Sequence, residues 1–201
     1  MRRVLVLALL ALALPMAAWA DGITLVNEFG SLNVSAAGIS SHGSELQQFN
    51  GIVAPKGHSL GSVSYATGAL VSGTIASGGV FSSTGSSFVV VGNGKYGEPK
   101  GTIFSGSFVG PIDWINTTPA GKASLTYTLT GEIEGMLYTG RFVTGTTTQN
   151  IYSTATQLAN GVGHIKLGTT NITVPEPGTL GLLGTGLVGI AGMFRRKLMA
   201  R

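Results

Sequence analysis

Between Leu125 and Glu134 the chain reads Leu-Thr-Tyr-Thr-Leu-Thr-Gly-Glu-Ile-Glu. Leu125, Tyr127, Leu129 and Ile133 take the odd positions, and three threonines and two glutamates take the even ones. Successive side chains of a strand point to opposite faces, so this stretch has one apolar face and one wet face. A strand of that kind belongs to an antiparallel sheet packed on one side. No stretch of the body carries the 3.6-residue apolar period of an amphipathic helix. Shorter alternating runs recur instead between glycine, asparagine and proline. They predict strands at 23–27, 32–35, 62–67, 69–75, 88–91, 103–109, 136–144 and 164–173. Gly78-Gly79, Gly92-Asn93-Gly94 and Asn160-Gly161 supply turns that need positive φ. About nine short strands with turns between them predict one all-β domain, an antiparallel β-sandwich or jelly roll.

Residues 21–174 hold 26 glycines, 18 serines and 20 threonines. Such a composition also suits a low-complexity stalk. Val, Ile, Leu, Phe and Tyr are spread throughout, however, over a length sufficient for a hydrophobic core. No internal repeat of fixed length is evident, which argues against a β-solenoid. The chain has no cysteine, so an exported fold of this sequence must hold by sheet pairing and burial, without disulfides.

The net charge of +4 comes from the ends. Arg2, Arg3, Arg195, Arg196, Lys197 and Arg201 are terminal, whereas six bases face seven acids between Asp21 and Val174. A nucleic-acid surface needs basic residues clustered on the folded body, so no nucleic-acid partner is expected.

Residues 1–20 have the three parts of a secretory signal peptide. Arg2 and Arg3 give the charged start, Val4–Leu14 the apolar run, and Pro15 breaks it ahead of Ala18-Trp19-Ala20. Ala18 and Ala20 are the small residues that signal peptidase requires, with cleavage expected before Asp21. Eleven apolar residues are too few to cross a hydrocarbon core of ~30 Å.

At the other end, Pro175-Glu176-Pro177 precedes an apolar run from Gly178 to Phe194 and the basic triplet Arg195-Arg196-Lys197. Seventeen residues make ~25 Å of helix, near the lower limit for a span. The triplet acts as a stop-transfer signal and places the C-terminus in the cytoplasm, with the body outside. Pro175 and Pro177 keep the preceding backbone extended, a form in which a processing enzyme can grip it.

This tail, PEPGTLGLLGTGLVGIAGMFRRK, resembles the PEP-CTERM sorting signal of Gram-negative bacteria. The resemblance covers residues 174–201 and sets out motif (175–177), membrane helix (178–194) and basic cluster (195–201). It implies recognition of Pro175, Glu176 and Pro177 by an exosortase, a membrane-embedded cysteine transpeptidase-like enzyme that cuts near them. It also implies transient anchoring in the inner membrane with the body on the periplasmic side, then the outer surface or extracellular matrix. Carriers of this tail are associated with exopolysaccharide and biofilm. The organisation expected is therefore signal peptide 1–20, β domain 21–173 and sorting tail 174–201, in an exported structural or adhesive protein.

Other chemistry is present in isolated fragments. Gly57-His58-Ser59-Leu60-Gly61 matches the G-x-S-x-G elbow of α/β-hydrolases, with Asp113 and His164 following in that family's order. The motif needs a helix after Ser59, and an alternating stretch from Gly61 follows instead. Gly92–Gly97 and Gly184–Gly189 match G-x-G-x-x-G, but Glu98-Pro99 blocks a helix after the first, and the second lies in the apolar tail. His42, His58 and His164 lack metal-ligand spacing, and no metal or cofactor is expected. Glu132 and Glu134 share a strand face at i, i+2. Trp114, beside Asp113, is the candidate for stacking on a sugar if exposed. Its alternative is a core tryptophan. The Thr126-Thr128-Thr130 and Thr144-Thr146-Thr148 alternations resemble the threonine arrays of ice-binding proteins, though threonine is also a good strand residue. A carbohydrate-binding module is the alternative to a structural role; an esterase using Ser59 and an ice-binding surface stand behind both.

Overall fold

In the computed structural model, which describes residues 22–174, the Leu125–Glu134 alternation sits within a longer strand. Its odd side chains from Tyr127 to Leu137 are buried and its even ones are not. The signal peptide, sorting motif, membrane helix and basic cluster expected from the sequence lie outside the described residues.

In chain order the elements are β1 (Gly22–Glu28), β2 (Ser31–Ser35), β3 (Gly38–His42), β4 (Ser44–Phe49), β5 (Ile52–Val53), β6 (Gly61–Ala66), β7 (Leu70–Thr74) and β8 (Gly78–Phe81). There follow β9 (Ser87–Asn93), β10 (Lys100–Asn116), β11 (Ser124–Leu137), β12 (Phe142–Thr154), the short helix α1 (Ala155–Ala159) and β13 (Val162–Thr173). Every pairing is antiparallel. Strands β1, β4, β6, β9, β10, β11, β12 and β13 pair in that order, and β13 returns to β1 from Gly22↔Thr173 to Asn27↔Gly168. The sheet thus closes into an eight-stranded up-and-down barrel with extra strands, in place of the expected sandwich or jelly roll. The reason lies in the connections. Neighbours in sequence are neighbours in the wall, and the last strand meets the first, so full closure leaves the ring without an edge.

Two long strands of this wall are interrupted. β1 and β2 form one line and β3 and β4 another, paired along both halves. The first line breaks at Phe29-Gly30, both with positive φ. A Cβ at Gly30 would lie 2.6 Å from the Ser44 amide nitrogen, so only glycine fits there. The expected strand at 136–144 is corrected: a turn over Tyr138–Gly140 separates β11 from β12, with the Leu137 N–H donating to the Arg141 carbonyl. The hairpin β7–β8 is an insertion between β6 and β9 that extends the wall by pairing Gly78–Phe81 with Ile112–Ile115 of β10.

An eight-stranded barrel is just wide enough inside for side chains to fill. Trp114, Tyr127, Phe81, Phe88 and Phe104 are the largest of the fully buried side chains. Tyr65, Phe88 and Phe108 pack in stacked and edge-on pairs about 6 Å apart. Inward glycines leave the space that these rings occupy. A Cβ at Gly131 would stand 2.7 Å from the Phe108 ring. Among the described residues, the Tyr65 hydroxyl is a buried polar atom without a hydrogen-bond partner, and burial pushes its pKa far up. An unsatisfied buried hydroxyl costs about 1–3 kcal/mol. Tyr65→Phe is therefore expected to stabilise the barrel by roughly 1 kcal/mol, read as a higher urea midpoint; a lower midpoint would mean that the hydroxyl has a partner.

Candidate functional site

Closure aligns the threonine alternations that the sequence leaves apart. On the outer wall Thr130, Thr148 and Thr169 stand level across β11, β12 and β13. Glu132, Thr146 and Asn171 form the next row, and Glu134, Thr144 and Thr173 the one below it. Strands ~4.8 Å apart, with side chains every second residue, make this a two-dimensional grid of hydroxyls, amide and carboxylates. A groove of about 350 Å³ runs over it. It is lined by Glu132, Glu134, Thr144, Thr146, Asn171 and Thr173, with Val109 at one side and backbone of Ile133 and Gly145 in its floor. Two carboxylates, three hydroxyls and an amide can hydrogen-bond a polyhydroxylated ligand, and the lining holds no basic side chain.

Of these residues, sequence reasoning singled out Glu132, Glu134 and the threonines Thr144 and Thr146. Asn171 and Thr173 were missed, because only the β12–β13 register brings them alongside. The carboxylates and Asn171 also interrupt the threonine rows, so a continuous ice-like array does not form on this wall.

The expectation for Trp114 divides in favour of the core. Its ring is 1% exposed, lies parallel to Tyr127 at 4.5 Å, and donates from Nε1 to the Ile75 carbonyl at 2.8 Å. Trp114 thus offers no face to a sugar, while Asp113 points outward on β10. The strand parity decides this: Ile112 and Trp114 are inward and Asp113 is between them.

Ser59 precedes a strand, β6, and its carbonyl accepts from Asn93 Nδ2 at 2.6 Å. Asp113 lies on β10 and His164 on β13, strands that pair neither with each other nor with β6. His164 stacks on Tyr152 at 5.3 Å and hydrogen-bonds Gln157. The Gly92–Gly97 stretch is a hairpin between β9 and β10, with no helix after it. Its backbone donors are taken by the chain itself: Glu98, 4% exposed, accepts from the Lys95 and Tyr96 N–H groups at 3.0 and 3.1 Å. Burial opposes ionisation of this carboxyl, but the backbone donors prevail and hold its pKa below the ordinary glutamate value. Among the described residues no group of three or more His, Cys, Asp or Glu could hold a metal ion. No helix among them is long and apolar enough to cross a membrane, which says nothing of the strands.

The barrel ends where the sorting tail begins. Thr173 pairs with both Gly22 and Thr144, and Val174 is buried against the core at 6% exposure. Residues 173–197 match the family model described as the PEP-CTERM protein-sorting motif. No curated protein and no solved structure matches the chain. The C-terminal tail is thus a PEP-CTERM sorting motif, and it marks an exported, exosortase-sorted protein associated with a membrane during sorting.

Proposed function

We propose that the chain is exported by its N-terminal signal, held in the inner membrane by residues 178–194 with the barrel on the periplasmic side, and cut by exosortase near Pro175-Glu176-Pro177. The released barrel then serves at the outer surface or in the extracellular matrix as a structural or adhesive component of exopolysaccharide, acting by contact and not by catalysis. The observation that carries this reading is the sorting-motif match over residues 173–197, placed where the last barrel strand ends. Signal peptidase reads the small residues Ala18 and Ala20 and removes residues 1–20, and Arg195, Arg196 and Lys197 stop transfer of the tail.

Replacing Pro175, Glu176 and Pro177 by alanine is expected to leave a longer, membrane-retained species on an immunoblot. Processing identical to the parent would overturn the sorting role of these residues, and so would exported mature protein that still ends in Arg201. The second reading, glycan binding, is favoured by the groove over β11–β13. Its test is a glycan array with the exported protein, alongside a Glu132→Gln, Glu134→Gln variant in which binding is lost.

A further inference from the structure

The up-and-down order sends alternate loops to opposite ends of the barrel. One end carries the β4–β6 loop (50–60), the β9–β10 loop (94–99) and the β11–β12 turn (138–141). Both chain ends leave from it as well, because Gly22 is paired with Thr173. Four of the six bases between Asp21 and Val174 stand at this end, all of them exposed: Lys56, Lys95, Lys100 and Arg141. The one acid on its described loops, Glu98, is buried and turned to the backbone. Of the remaining acids, Asp21 precedes Gly22 outside the described residues, and Glu134 stands in the row of Thr144 and Thr173 beside this rim. Glu28, Glu45, Asp113 and Glu132 lie farther along the strands. Large apolar side chains join the basic ones at this rim: Val53 is 65% exposed, Tyr138 54% and Phe142 56%.

We infer that this rim docks on the anionic lipid surface of the membrane that holds the tail. Chain length fixes the distance. Val174 is in the core, and from there to Gly178, where the apolar run begins, four peptide links reach at most ~14 Å. A barrel tethered so closely must present this end to the bilayer. Basic residues near an anionic surface contribute about 1 kcal/mol each, Tyr favours the interface, and Phe and Val add apolar area that can bury at the headgroup boundary. Cleavage beside the rim then releases a barrel whose remaining hold on the membrane is electrostatic and sensitive to salt.

The inference rests on the anchoring of the tail under Proposed function, and the test separates the two. The chain has no cysteine, so Thr139→Cys at this rim and Lys122→Cys at the opposite end can each carry an environment-sensitive fluorophore. Full-length protein is reconstituted in vesicles of phosphatidylcholine with about a third phosphatidylglycerol and shallow spin-labelled lipid. Flotation reports the anchor and quenching reports the docking. The expected result is flotation of both proteins, with quenching at residue 139 and none at 122. Changing Lys56, Lys95 and Lys100 to Gln should shift the docked-to-undocked ratio about fivefold per residue, the equivalent of about 1 kcal/mol. Failure to float overturns the anchor and the docking with it. Flotation with both probes in water overturns the docking alone. Equal quenching on pure phosphatidylcholine would overturn the role of anionic headgroups, and quenching that grows with protein density whatever the lipid would assign the rim to a second copy.

Discussion

Trp114→Ala is expected to lower the unfolding free energy by about 3–5 kcal/mol, the range for deleting a large aromatic from a packed core. For a domain of this size that corresponds to a fall in Tm of roughly 6–20 °C. Two losses combine. The first is the stacked pair with Tyr127, 4.5 Å apart and 5° from parallel, at a point where both rings are buried. The second is the link to the inserted hairpin. Trp114 Nε1 donates to the Ile75 carbonyl, while Tyr127 Oη and Asn116 Nδ2 donate to the Ala76 carbonyl at 2.8 and 2.9 Å. These three donors hold the β7–β8 turn over the end of the barrel opposite the tail. Trp114→Phe separates the two contributions: it keeps most of the ring packing and removes only the donor. The expected cost is about 1–3 kcal/mol for the orphaned carbonyl, with faster amide exchange confined to 70–81. A Trp114→Ala protein with an unchanged thermal midpoint would contradict the assignment of this side chain to the core.

Where the sequence is legible, it is so for one physical reason. Strands whose inward positions are apolar announce themselves, and β11 is readable residue by residue because Tyr127, Leu129 and Ile133 all face the core. β12 is not readable, although it is nearly as long. Its inward residues are Val143, Gly145, Thr147, Gln149, Ile151 and Ser153, half of them polar, so no apolar period marks the inner face. β3 and β4 are hidden likewise by Ser41 and Ser44, both buried. Barrel against sandwich is a question of whether the first strand meets the last, and no local pattern encodes that pairing. The sorting tail is the opposite case, since its information is carried by contiguous residues and needs no fold to be read. The groove lies between these extremes: its threonines and glutamates alternate visibly, but the register that gathers them follows from closure.

The polar residues that conceal β12 have a consequence of their own. Asn27, Ser44, Thr147, Gln149 and Thr170 are each no more than 1% exposed and form one connected set. Asn27 Nδ2 donates to Ser44 Oγ at 2.7 Å and to Gln149 Oε1 at 3.0 Å, and Gln149 Nε2 donates to Asn27 Oδ1 and Thr147 Oγ1. The Thr147 and Thr170 hydroxyls meet at 2.8 Å. Gly168 provides the room, for a Cβ there would stand 2.1 Å from Gln149 Oε1 and 2.3 Å from Asn27 Oδ1. Gln149→Leu leaves the amide oxygen of Asn27 without its donor in the core, at about 1–3 kcal/mol for each group so orphaned. The expected loss is about 2–4 kcal/mol for Gln149→Leu and about the same for Asn27→Leu. The double variant should lose clearly less than the two together, because removing both amides leaves neither unpaired. Urea unfolding of the four proteins closes the cycle, and strict additivity would show that the amides act separately. A bonded set that joins β1, β4, β12 and β13 does more than satisfy its own atoms. Slipping any of these strands by one residue turns every inward side chain outward and breaks the set at once. The network thus penalises misregister at the seam where the first and last strands must find each other, and the closure of the barrel depends on that seam.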